Sequence, residues 1–111
     1  MTMAPPYPYS GPEALQVPIE RALRAVVDPE LALSIVDVGL VYGVTLRDGK
    51  VHVSLTMTSV ACPVADMILD DVEAALDRAV PAEMAIEVKL VWQPPWSAER
   101  MSAEGKAFMG W

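Results

Sequence analysis

The sequence predicts an α+β fold, a two-layer sandwich in which helices pack on one face of a small three-stranded mixed sheet. Three observations predict it. Val51, Val53, Leu55 and Met57 alternate with His52, Ser54, Thr56 and Thr58, the period of a half-buried strand. Arg47-Asp48-Gly49-Lys50 joins that strand to the apolar run before it, and Asp-Gly is a strong hairpin signal. A helical pattern then separates it from a third strand, the arrangement that covers a sheet face with a helix.

Taken in order, residues 1–11 are rich in Pro, Tyr and Ser and read as a flexible N-terminal arm, mobile or extended. Residues 12–111 read as one domain. The first helix is expected from about Pro12 or Val17 to Val27, with Ile19, Leu23, Val26 and Val27 at helical spacing. Asp28-Pro29 stops it, because a residue before proline avoids helical dihedrals. A turn through Ser34 follows.

The run Ser34 to Leu46 reads as a strand, β-branched and apolar apart from Asp37. Gly39 and Gly43 in it mark a bulge or a close approach by another backbone. After the hairpin, a second helix is expected from Pro63 to about Val80. Val64, Ile68, Val72, Ala75, Leu76 and Ala79 form its buried stripe, and Asp66, Asp70, Asp71, Glu73 and Asp77 its wet side. Pro81 ends it. Ala85 to Trp92 forms the third strand. Gln93 to Ser97 makes a stiff turn, and Ser97 is the expected N-cap of a last helix from Ala98 to about Phe108, weakened by Gly105.

The 111 residues are 53% hydrophobic, enough for a core and too apolar for disorder. The net charge of −7 argues against nucleic-acid binding, which needs a basic face. No run approaches the roughly 18 apolar residues of a membrane span. The first residues lack the basic and apolar segments of a secretory signal. A single cysteine suits a reducing, cytoplasmic setting.

That cysteine, Cys62, falls where strand turns into helix. Pro63 suits a first helical position, which puts Cys62 at or near the N-cap. Unpaired N–H groups and the helix dipole there favour the thiolate, the form that attacks electrophiles and binds metals. The alternative is a small buried hydrophobe, as most free cysteines are. One thiolate cannot fill a zinc or cluster site. Such a site is shared between subunits, completed by a client, or used transiently. A cysteine enzyme needs a base, and the only histidine, His52, lies roughly 20 Å up the strand.

Counting back across the hairpin brings Asp37 near Thr58, so Asp37, Thr58, Ser59 and Cys62 can cluster at one edge, with Glu30 as a neighbour. Oxygen ligands and one sulfur suit iron or zinc. The other reading has Asp37 holding backbone amides of the loop. Trp92 and Trp96, with Pro94 and Pro95, make an aromatic corner that packs the last helix or, if exposed, binds a partner.

Asp28-Pro29-Glu30, Ile35 to Val41, Thr56-Met57-Thr58-Ser59 with Cys62-Pro63, and Val91 to Ser97 with Met101 together resemble the metal-sulfur cluster assembly factors. These include SufT-type proteins, the N-terminal domain of PaaD-type proteins and the eukaryotic targeting component of cytosolic iron–sulfur assembly. The likeness runs from about Val17 to Trp111. It implies an iron–sulfur cluster assembly domain, no enzymatic turnover of a metabolite, and a homodimer. It implies client iron–sulfur or iron proteins and assembly machinery as partners, and a transient iron–sulfur cluster or iron as cargo. It carries the functional cysteine onto Cys62, and the acidic and threonine positions onto Glu30, Asp37 and Thr58. The rival expectation is a metal-free adaptor or chaperone for one metalloenzyme, such as a di-iron oxygenase, in which Trp92, Trp96 and the acidic second helix dominate.

Overall fold

The computed structural model of the chain describes residues 6–58 and 65–111. Ten regular elements follow in order: β1 (Tyr9–Ser10), α1 (Glu13–Arg24), β2 (Val27–Asp28), β3 (Leu33–Ser34), α2 (Ile35–Val38), β4 (Val41–Arg47), β5 (Lys50–Leu55), α3 (Ala65–Ala79), β6 (Ala85–Leu90) and α4 (Ala103–Met109). A short 3₁₀ turn, Ala98–Arg100, precedes α4.

The main sheet has four strands in the order β1-β4-β5-β6. The central pair β4–β5 is antiparallel, while β1 and β6 run parallel to their neighbours. The Asp48-Gly49 hairpin forms as expected: Arg47 pairs with Lys50, and both turn residues adopt positive φ (54° and 74°). Val51, Val53 and Leu55 are buried under α1 and α3, against Ile19, Leu23, Ile68, Val72 and Leu76. On the opposite face of β5, half-buried His52 stands beside Glu87 of β6, Nδ1 to Oε2 3.8 Å.

The expected sheet of three strands gains its fourth from the segment read as a flexible arm. Pro8 accepts the Val44 N–H at 2.9 Å, Tyr9–Ser10 lie alongside Val44–Thr45, and Tyr7 is buried in the core. Two prolines beside a two-residue strand give no alternating pattern to read, yet proline is tolerated at a sheet edge, where its missing N–H is not needed. The docked segment also covers part of an otherwise open strand edge.

The expected strand Ser34–Leu46 is two elements. Ser34 Oγ accepts the Val36 N–H at 3.2 Å and caps a single helical turn, α2. Gly39 ends it at φ +86°, with Gly39 N–H donating to Val36 O and Leu40 N–H to Ile35 O, a Schellman closure. A Cβ on Gly39 would strike the Arg100 carbonyl, so two backbones do approach closely there. Only Val41 onward is strand, with the register slipping between Val41 and Gly43. The segment before α2 is a small antiparallel hairpin of β2 and β3, so α1 stops at Arg24 and short of Val27.

The last helix also divides. Ser97 makes no side-chain cap, Met101 is extended and buried, and Ser102 caps α4 by accepting the Gly105 N–H at 2.9 Å. Gly105 is needed there, because an added Cβ would lie 2.9 Å from the Asp37 carbonyl oxygen.

Candidate functional site

The end of β5 delivers the chain to the cysteine motif. The Thr56 N–H donates to Leu40 O at 2.9 Å on one side, and Val91 N–H donates to Leu55 O at 2.7 Å on the other. Thr56 and Met57 are buried, and Thr58 is half-buried. Thr56 Oγ1 has no hydrogen-bond partner among the described residues. Residues 59–64, and with them Ser59, Cys62 and the expected N-cap, lie outside the described residues. From Ala65 the acidic helix runs as expected, burying Ile68, Val72, Ala75 and Leu76.

Asp37 sits on the one-turn helix α2, not on a strand, so the register count that placed it beside Thr58 does not reach it. Its Oδ1 accepts the Ser102 hydroxyl at 2.9 Å and the Arg24 guanidinium at 3.4 Å. The Ser102 N–H donates to the Asp37 carbonyl at 2.8 Å. Arg24 in turn pairs with Glu20 at 3.0 Å on its own helix. Burial lowers the Arg24 pKa, and its bonds to Glu20 and Asp37 outweigh this and leave it above the ordinary value. Asp37 thus braces α1, α2 and α4 against one another. It holds a backbone amide through its carbonyl and a hydroxyl through its carboxylate.

Glu30 is exposed on the β2–β3 hairpin, and its N–H donates to Asp28 Oδ1 at 2.9 Å. Asp28 itself is 2% exposed and shapes that turn; its carbonyl accepts the Ala32 N–H. The Asp-Pro pair carries this signal in the sequence, since Asp side chains bond the backbone two residues on. Ser102 and Arg24 were not legible as partners of Asp37, although Glu20 and Arg24 show the i,i+4 spacing of a helical ion pair.

The two tryptophans of the aromatic corner differ. Trp96 Nε1 donates to Val38 O at 2.8 Å, and its half-buried ring packs on the core, so it secures the end of α2. Trp92 lies beyond the end of β6 and is 39% exposed. Tyr42 ties the corner to β4 through a 2.7 Å bond from its hydroxyl to Pro94 O, with Arg100 stacked 4.5 Å above its ring.

Among the described residues, no group of three or more His, Cys, Asp and Glu gathers to hold a metal ion. No helix among them is long and apolar enough to cross a membrane.

The comparisons with known proteins point one way. Residues 16–90 match the family model described as iron–sulfur cluster assembly protein. A Bacillus subtilis protein named Fe-S protein maturation auxiliary factor YitW is 46% identical over 99 residues, 88% of this chain and 96% of that protein. The Staphylococcus aureus Fe-S protein maturation auxiliary factor SufT is 42% identical over 86 residues, 77% of this chain and 97% of that one. The crystal structure of a domain of unknown function from Bacillus anthracis superposes with a TM-score of 0.81 at 45% identity, covering 88% of this chain and 93% of that one. The four-stranded sheet under its helices and the match over residues 16–90 agree: this chain belongs to the iron–sulfur cluster assembly protein family.

Proposed function

We propose that this protein is an accessory factor in the maturation of iron–sulfur proteins and not an enzyme. The observation that carries the reading is the near full-length likeness to two proteins named as maturation auxiliary factors. In this reading Cys62 is the reactive or ligating thiolate, lowered in pKa by the helix it precedes. A cluster or iron ion is its transient cargo, with the remaining ligands supplied by a second subunit, a client or the assembly machinery. Thr58, Ser59, Asp37 and Glu30 shape the site in this reading. The same reading makes the protein a cytoplasmic homodimer.

Replacement of Cys62 by serine in cells tests it. Activities of iron–sulfur enzymes should fall while the protein's abundance holds. Anaerobic addition of iron and sulfide to the purified protein should give a charge-transfer absorbance that the serine variant lacks. Unchanged enzyme activities in the variant would remove Cys62 from the reading.

The exposure of Trp92 favours a second reading, an adaptor or chaperone for one metalloenzyme with no metal of its own. A client captured equally by the wild type and by Cys62→Ser, and lost with Trp92→Ala, would select it.

A further inference from the structure

α1 and α3 pack directly on each other, with Ala75 buried and Ala22 half-buried against the core. Over that contact Pro18 and Ala22 on α1, and Ala75 and Ala79 on α3, leave a shallow, open surface groove of about 520 Å³. Each pair is spaced i,i+4, so the short side chains line up along both helices. A second hollow of about 400 Å³ adjoins it, sharing Ala25, Ala75 and Arg78, and runs on to Val27, which is 48% exposed. Arg21 and Arg78 are exposed and border the larger groove. Neither makes an ion pair among the described residues, although the chain carries a net charge of −7. Of the acids of α3, Asp70, Glu73 and Asp77 border a different hollow toward β6, while Asp71 borders the adjoining hollow together with Arg78.

We propose that the α1–α3 groove docks an acidic amphipathic segment of a partner protein, its small apolar side chains on the alanine floor and its carboxylates on Arg21 and Arg78. A shallow groove of this kind takes a few side chains of a partner rather than an enclosed small molecule. An apolar floor supplies the contact energy, and two guanidinium groups that have no ion pair among the described residues choose the sign of the partner. The proposal goes beyond the accessory-factor reading, because neither Cys62 nor iron enters it.

The probe is a fluorescein-labelled helical peptide with Leu and Ala on one face and Glu on the other, followed by anisotropy against the full-length protein. Its counterpart carries Lys for Glu. The Glu peptide should bind, more weakly at high salt. The double variant Arg21→Glu/Arg78→Glu should weaken it by roughly tenfold or more. Ala22→Trp, which fills the groove and leaves both charges, should weaken it similarly. Arg21→Ala/Arg78→Ala serves if the charge reversals disturb folding. Cys62→Ser should bind as wild type does. Equal binding of the Lys peptide, indifference to the arginine variants, or a dimer in sedimentation that Ala22→Trp dissociates would each overturn the proposal. If the peptide fails while iron–sulfur enzymes still depend on Cys62, the groove is lost and the accessory role stands.

Discussion

Ser102 and Asp37 are joined twice: the serine hydroxyl donates to the aspartate Oδ1 at 2.9 Å, and the serine N–H donates to the aspartate carbonyl at 2.8 Å. The same hydroxyl accepts the Gly105 N–H and so starts α4. One side chain therefore caps a helix and fastens it to the turn of α2. Ser102→Ala should cost about 1–2 kcal/mol, the sum expected for a lost cap and a lost partner. A double-mutant cycle with Asp37→Ala, read by urea unfolding, should show coupling of about 0.5–1.5 kcal/mol. Additive losses would mean that the pair holds nothing together.

Gly105→Ala tests the closeness of α4 to α2. In an isolated helix alanine would gain about 1 kcal/mol over glycine. Here the new Cβ would lie 2.9 Å from the Asp37 carbonyl oxygen and 3.2 Å from Ser102 Oγ. Net destabilisation of about 1–3 kcal/mol is expected, as for overpacking elsewhere. A rise in melting temperature would show that α4 can move away freely.

The two corner tryptophans should separate by what they change. Trp96→Phe keeps a ring on the core but deletes the donor to Val38 O, at a cost of about 1–2 kcal/mol. Trp92→Ala should shift stability by no more than about 0.5 kcal/mol, as at other exposed positions. If Trp92 receives a partner, that variant alone should lower client maturation at full stability. Thermal unfolding beside iron–sulfur enzyme activity in cells distinguishes the two.

Tyr7 makes the protein sensitive to alkali. Burial first, then Glu20 and Tyr9, raise its phenol well above the ordinary 10.0, with Arg24 opposing. A raised acid favours the protonated form in the folded state. The contribution is whole below about pH 10, and stability then falls with rising pH by up to about 1.4 kcal/mol per unit for this group. Tyr9, also raised by burial, adds a smaller slope of the same sign. Tyr7→Phe removes a buried hydroxyl that has no partner among the described residues. It should be neutral or stabilising at pH 7, and its advantage should widen between about pH 9 and 11. A constant difference across that range would place the phenol in water.

The sequence by itself determined the local elements whose pattern is carried by neighbours in the chain. The alternation through β5, the Asp48-Gly49 hairpin and the buried stripe of α3 were all legible, because side-chain period and turn chemistry act over a few residues. The cysteine motif around Cys62-Pro63 was read from the sequence, and it lies outside the described residues. Tertiary structure alone decided the rest. Ile35-Val36-Asp37-Val38 has the composition of a strand, yet Ser34 and Gly39 cap it as a helix, and packing between α1 and α4 buries it on several sides. Asp37 meets Ser102, sixty-five positions away, as well as Arg24, and Tyr7 finds its place only once β4 offers an edge. Such pairings depend on which surfaces the folded chain brings within a few ångströms, and no local period encodes that.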